Sequence, residues 1–296
     1  MNIEKINAYI GHSSGVYSLD IDDNFIYSGS ADCFVTRWDI KSDRQDKFAI
    51  KFEFPVYAIK LINRQKFLVV GLASGDLHIF DLVARQELKF FQQHKEAIFH
   101  IQYNAQLAQF YVADAVGNFS VWDALTFELL SYFPFDCGKI RRIAIDKAGE
   151  KIALACQDGT IRVLDAITLN EIHKIEAHKD GVGSVVFSPK DSNVLYSGGK
   201  DAYLKIWNLQ EKHNKLAIPA HNYMIYELQF VGDHLVSASR DKTIKCWESI
   251  DLTMLKRIDF KVKGHRHSVN ALLPISSDSF VSCSDDRQLI SWQIKV

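Results

Sequence analysis

The stretch Phe25-Ile26-Tyr27-Ser28-Gly29-Ser30-Ala31-Asp32-Cys33-Phe34-Val35-Thr36-Arg37-Trp38-Asp39 decides the fold. It holds two strand-like runs around a short turn that carries an aspartate, and it ends on an aromatic residue followed by a polar one. That ending recurs as Phe80-Asp81, Trp122-Asp123, Leu164-Asp165, Trp207-Asn208, Trp247-Glu248 and Trp292-Gln293, at intervals of 40 to 45 residues. Seven units of about 42 residues occupy nearly all of the 296-residue chain. A length awkward for one ordinary domain is thereby read as a single repeating domain over residues 1–296.

Each unit reads as four short strands. Positions one and three residues before the marker are usually apolar, as in Leu77 and Ile79, Phe119 and Val121, or Ile161 and Val163, which fits strands buried on both faces. Upstream lies a second strand, such as Lys66 to Val70 or Lys151 to Ala155, separated by turns such as Ser74-Gly75-Asp76 and Gln157-Asp158-Gly159. A further strand opens each unit, from Val16 to Ile21 in the first and from Val269 to Leu273 in the last, and a fourth follows the marker, as in Glu87 to Phe91. Helical periodicity is absent. The expected fold is all-β, a seven-bladed β-propeller of four-stranded antiparallel blades. The chain ends soon after Trp292, so the last blade lacks a fourth strand, while Ile3 to Ile10 precedes the first unit without a partner. This N-terminal strand is expected to complete blade seven and close the ring, removing two open sheet edges.

Composition is globular, with 47% hydrophobic and 24% charged residues. A net charge of −1 supplies no global attraction to nucleic acid or anionic membrane. No apolar run approaches the length of a membrane span, and the start MNIEKINAYIGHSSG lacks the apolar core of a signal peptide, so a cytoplasmic protein is expected, or a nuclear one in a eukaryote. Five cysteines without CxxC spacing read as reduced, mostly buried thiols.

With the repeat in view, the chain resembles the WD-repeat β-propellers over its whole length. The resemblance rests on the Trp-Asp pairs, on Gly11-His12 and Gly264-His265, and on a turn aspartate six residues before the marker (Asp32, Asp158, Asp201, Asp241, Asp286). It rests also on a serine ten residues before the marker (Ser28, Ser197, Ser237, Ser282) and a histidine four residues before an apolar position. It implies hydrogen-bonded networks pinning four blades. Their members are His12, Ser28, Asp32 and Trp38 in blade one, His178, Ser197, Asp201 and Trp207 in blade five, His221, Ser237, Asp241 and Trp247 in blade six, and His265, Ser282, Asp286 and Trp292 in blade seven. Blades two to four depart from this pattern. Blade two has Phe52, Val70, Ser74 and Phe80; blade three keeps His94 and Trp122 around Val112 and Val116; blade four keeps Asp158 beside Asp136, Leu154 and Leu164. The partners of His94 and Asp158 are not named by these positions.

Four equivalent Ser, His and Asp sets around a ring are structural, since a hydrolytic triad is a single site with an exposed nucleophile. No GxSxG, HExxH, P-loop or GxGxxG motif occurs. No cofactor and no metal are expected, because His265 is already committed and the remaining histidines (His78, His100, His173, His213, His234) are scattered and read as surface residues. Lys139, Arg141 and Arg142 form a basic cluster that could touch phosphate, but reads most simply as a solvated loop. The resemblance implies partner contacts on one rim of the central channel. Carried over by position, the rim takes Tyr17, Tyr57, Phe99, Arg141 and Tyr226 just after the first apolar residue of the opening strands, Met224 just before it, and Lys200 and Arg240 before the turn aspartate. The expected function is a non-enzymatic protein–protein interaction scaffold, a monomer or a subunit of a hetero-complex, binding a peptide or loop of another protein on that aromatic rim. The alternatives are a small-molecule or catalytic site in the channel, or a purely structural subunit.

Overall fold

A computed structural model describes residues 1–211 and 213–295, with the side chains of His213 and Asn214 outside the description. Seven four-stranded antiparallel sheets follow one another along the chain; six are meanders with the first strand innermost and the fourth outermost, and the seventh draws its outermost strand from the N-terminus. The inner strands are Val16–Ile21, Val56–Ile62, Ile98–Asn104, Ile140–Ile145, Val182–Phe187, Ile225–Val231 and Val269–Pro274, each beside the next around a central channel. Among the described residues the only helical segment is one 3-10 turn, Phe260–Val262, and no helix is long and apolar enough to cross a membrane.

Burial follows each strand's place in the blade. The second strand, such as Phe67–Leu72 or Gln109–Asp114, is buried on nearly every residue because both faces meet a neighbouring blade. The outermost strand, such as Arg44–Lys51, alternates half-buried and exposed positions. The apolar cores therefore lie between blades. Tyr27 and Val35 of blade one pack with Val56 and Leu68 of blade two, and Val16, Ile26 and Trp38 of blade one pack with Val281, Cys283 and Leu289 of blade seven.

Closure is as expected. Asn2–Ile10 pairs antiparallel with Gln288–Lys295, in a register running from Asn2 opposite Lys295 to Ile10 opposite Gln288, and so supplies the outer strand of blade seven. It also reaches blade one, where Tyr9 meets the Trp38 indole edge-on at 5.8 Å. Burial of Tyr9 and Ile3 is worth about 1.5–3 kcal/mol for each side chain. Four cysteines are buried, Cys33 is half-buried, and all five are free thiols.

Candidate functional site

In blade one His12 Nδ1 lies 2.8 Å from Asp32 Oδ2, His12 Nε2 lies 2.8 Å from Ser28 Oγ, and Trp38 Nε1 donates to Ser28 Oγ at 2.8 Å. Blade five repeats this arrangement. His178 Nδ1 lies 2.8 Å from Asp201 Oδ1 and His178 Nε2 lies 2.7 Å from Ser197 Oγ, which accepts from Trp207 Nε1 at 2.8 Å. In blade six His221 stands 2.9 Å from Asp241 Oδ2 and 2.7 Å from Ser237 Oγ, and Trp247 Nε1 donates to Ser237 at 2.9 Å. In blade seven His265 stands 2.9 Å from Asp286 Oδ2 and 2.8 Å from Ser282 Oγ, and Trp292 Nε1 donates to Ser282 at 2.8 Å. The hydroxyls of Ser28, Ser197, Ser237 and Ser282 thus hold the place that their spacing from the tryptophan implies, and all four residues are fully buried.

An indole N–H only donates, so each serine oxygen accepts from tryptophan and donates its own proton to Nε2; the imidazole proton then sits on Nδ1 and points at the carboxylate. Burial lowers the pKa of His12, His178 and His221 below the ordinary imidazole value, in keeping with neutral rings. Burial alone would raise the Asp32, Asp201, Asp241 and Asp286 carboxyls, but the facing imidazoles and backbone N–H donors hold them below the usual carboxylate range.

Blade three has a full network built from other positions. His94 Nδ1 lies 2.8 Å from Asp114 Oδ2, His94 Nε2 lies 2.8 Å from Ser120 Oγ, and Trp122 Nε1 donates to Ser120 Oγ at 2.8 Å. Ser120 stands on the third strand directly across from Val112, the usual serine position, and Asp114 stands two residues before Val116. The blade is thus not degenerate in its chemistry. Blade two replaces the network with packed rings, Phe52 against Phe80 at 5.8 Å and against His78 at 5.1 Å. Asp158 of blade four is exposed and accepts from the Thr160 N–H at 2.9 Å and the Thr160 hydroxyl at 2.7 Å.

Every inner strand carries a β-bulge near its start, and the bulged residue has no opposite number on the second strand. In blade one Val16 pairs with Ser30 and Ser18 with Gly29, leaving Tyr17 between them. The same shift isolates Tyr57, Phe99, Arg141, Gly183, Tyr226 and Asn270. These seven residues converge on one end of the channel, where with Arg142 and Asp285 they line a cavity of about 310 Å³. Tyr17 meets Tyr57 edge-on at 5.1 Å, and Tyr57 lies 5.4 Å from Phe99. Gly183 is required where it stands, since an added Cβ would fall 2.0 Å from the Ile225 carbonyl oxygen.

Two of the three basic residues in the cluster stand on a strand rather than in a solvated loop, and only Lys139 precedes it. Arg141 and Arg142 stand on the inner strand of blade four and both line the mouth, because the bulge breaks the alternation that would send one of them outward. Arg142 is paired with Glu227 of blade six and so spans the channel beneath the mouth. Burial pushes its guanidinium down to about 10, with Arg141 adding to the effect, which leaves it charged at neutral pH. Burial lowers Arg141 and Lys139 and raises Tyr17, the last helped by Asp285.

His100 is likewise no surface residue. It faces the channel, accepts from the Ile143 backbone N–H at 3.2 Å, and is held well below the ordinary imidazole pKa by burial and by Arg142 and Lys60. Asp20 and Ser184 accept from the Leu61 and Leu228 N–H groups in the same way, so side chains of one inner strand satisfy the unpaired edge of the next. His78 stacks in blade two and contacts Glu87 at 2.6 Å, His173 and His234 are half-buried, and the side chain of His213 lies outside the described residues. Of the other expected rim residues, Met224 is buried beside Gly183, while Lys200 and Arg240 are exposed and do not line the cavity. Among the described residues no three His, Cys, Asp or Glu side chains are grouped so as to hold a metal ion.

Seven closed blades, five of them pinned by a His-Ser-Asp-Trp network, define a WD-repeat type of propeller. The family description WD domain, G-beta repeat matches residues 3–39 and 257–293, and the description KNTC1, N-terminal matches residues 40–265. The chain therefore belongs to the WD-repeat β-propellers and, over residues 40–265, to the family described as KNTC1, N-terminal. The U3 small nucleolar RNA-associated protein 15 homolog of Gallus gallus is 23% identical over 219 residues, covering 71% of this chain and 41% of the relative. The nuclear distribution protein PAC1 of Arthroderma otae is 30% identical over 135 residues, covering 41% of this chain and 28% of the relative. The serine-threonine kinase receptor-associated protein of Bos taurus is 30% identical over 127 residues, covering 42% of this chain and 36% of the relative. The chain spans less than half the length of each.

Proposed function

We propose that the chain is a non-enzymatic protein-interaction module that captures a peptide or loop of another protein at the channel mouth, as a monomer or as a subunit of a hetero-complex in the cytoplasm or nucleus. The observation that carries this reading is the set of bulges, which aim four aromatic side chains and an arginine into one concavity. Those residue types dominate interface hot spots. The names of the chicken and bovine relatives describe proteins associated with a small nucleolar RNA and with a receptor, which fits membership in assemblies. Catalysis by the repeated sets is disfavoured by their geometry, because each serine oxygen is buried and already holds an indole N–H and an imidazole. The test is the variant in which Tyr17, Tyr57, Phe99 and Tyr226 all become Ala, used as bait beside the wild type. Loss of captured partners with an unchanged circular dichroism spectrum supports the reading. Undiminished capture moves the site elsewhere on the rim or to the opposite face.

A further inference from the structure

Charge is unevenly distributed around the mouth. On the blade-four side, Lys139 Nζ lies 4.2 Å and the Arg141 guanidinium carbon 5.8 Å from the centre of the Phe99 ring. The protein's own cations thus occupy the aromatic surface that would otherwise attract a cationic ligand. Tyr57 contacts Tyr17 and Phe99, so these rings form a packed wall rather than an open cage. Arg142 is committed to Glu227 across the channel, and Asp285 on the far side accepts from the Asn270 amide at 2.8 Å. Arg141 differs from all of these. It lines the cavity, yet among the described residues it has no carboxylate partner and no hydrogen-bond acceptor. Its guanidinium is half-buried at the mouth with its donors uncommitted, and that planar fork matches a carboxylate or a phosphate.

We propose that the channel mouth recognises an anionic group on a partner peptide, a carboxylate or a phosphate, held by Arg141 while the tyrosines pack against the neighbouring residues of that peptide. The inference rests on the mouth being the partner site. The anion sits on the blade-four side, away from Asp285, so a second acidic residue further along the peptide is disfavoured.

The experiment uses the full chain and an immobilised octapeptide library, randomised except for one central position fixed as Asp, Glu, phosphoserine, Ser or Lys. The acidic or phosphoserine pools should retain the protein about tenfold better than the Ser pool, the scale expected of one charge-assisted contact. Preference for phosphoserine over Asp and Glu assigns a phosphate; the reverse assigns a carboxylate. Arg141→Gln should reduce the preference to within about twofold without altering the fold, since the side chain makes no polar contact in the ring, and Arg141→Lys should restore part of it. Equal retention of all pools, a Lys preference, no retention of any acidic pool, or an acidic preference surviving Arg141→Gln would each overturn the proposal. The Tyr57→Ala/Tyr226→Ala variant separates the two readings. Charge-blind binding that it abolishes leaves the mouth as the partner site and removes the anion, whereas binding that it leaves intact removes both.

Discussion

Blade one places the hydroxyl between imidazole and indole on its second strand, at Ser28, whereas blade three places it on the third strand, at Ser120. The two positions face each other across the strand pair, and in blade one Thr36 occupies the place that Ser120 fills in blade three, with Thr36 Oγ1 3.0 Å from His12 Nε2. Blade one thus has two hydroxyls near its histidine, and blade three has one. The network requires an oxygen at a point in space, and either of two strands can supply it.

That comparison can be broken in several ways, beginning with the blade whose sheet is made from both ends of the chain. Deleting residues 1–10 should have the largest effect, because it strips the outer strand from blade seven and removes Tyr9 from Trp38. Loss of cooperative thermal unfolding is expected, and an unchanged melting temperature would show that the clasp is dispensable. Next comes Ser120→Ala, which leaves the Trp122 N–H and His94 Nε2 both without a partner at a cost of about 2–3 kcal/mol in chemical denaturation. Ser28→Ala should cost only about 1 kcal/mol, since Thr36 still reaches His12. The double change Val112→Ser/Ser120→Val should be less destabilising than Ser120→Ala if the two strands are interchangeable; equal damage would refute that equivalence.

Acid tests the networks together. The folded ring holds His12, His178 and His221 below their ordinary value of 6.5, so the unfolded chain binds protons more readily and stability falls as pH drops below about 6.5. The depressed aspartates add a second loss below 3.8, their ordinary value. A melting temperature level above pH 7 and declining below 6.5 is expected, and a rise on acidification would mean that the imidazoles are charged in the folded ring. The smallest effect belongs to Asp158→Ala, about 0.5 kcal/mol, because that carboxylate is exposed and holds its own turn with only a 4.0 Å approach to Arg162 beyond it.

Most of the fold was readable because the marker spacing and the apolar runs report the same strands; the strand expected over Val56 to Leu61 runs Val56–Ile62. The networks of blades one, five, six and seven were readable because Ser28, Ser197, Ser237 and Ser282 sit at the same offset from their tryptophans. Blade three was not, because Asp114 and Ser120 satisfy the same geometry from other offsets. Arg142 and His100 were misplaced for a different reason. A bulge shifts the alternation of a strand by one residue and leaves no mark in composition, so two arginines in succession looked like a loop. The aromatic mouth residues were located by position alone, and what made them converge is that same unmarked bulge.

The clasp has a consequence for how the ring comes into being. Strand pairings inside blades one to six join neighbours in sequence, but Asn2 opposite Lys295 joins opposite ends of the chain. Local hairpins form without a large loop to close, while this pairing bears the entropy of closing nearly the whole chain, a cost that grows with the logarithm of loop length. The six internal sheets need no contact between the chain ends to form, so the pairing of the first and last strands is expected to be the last to form.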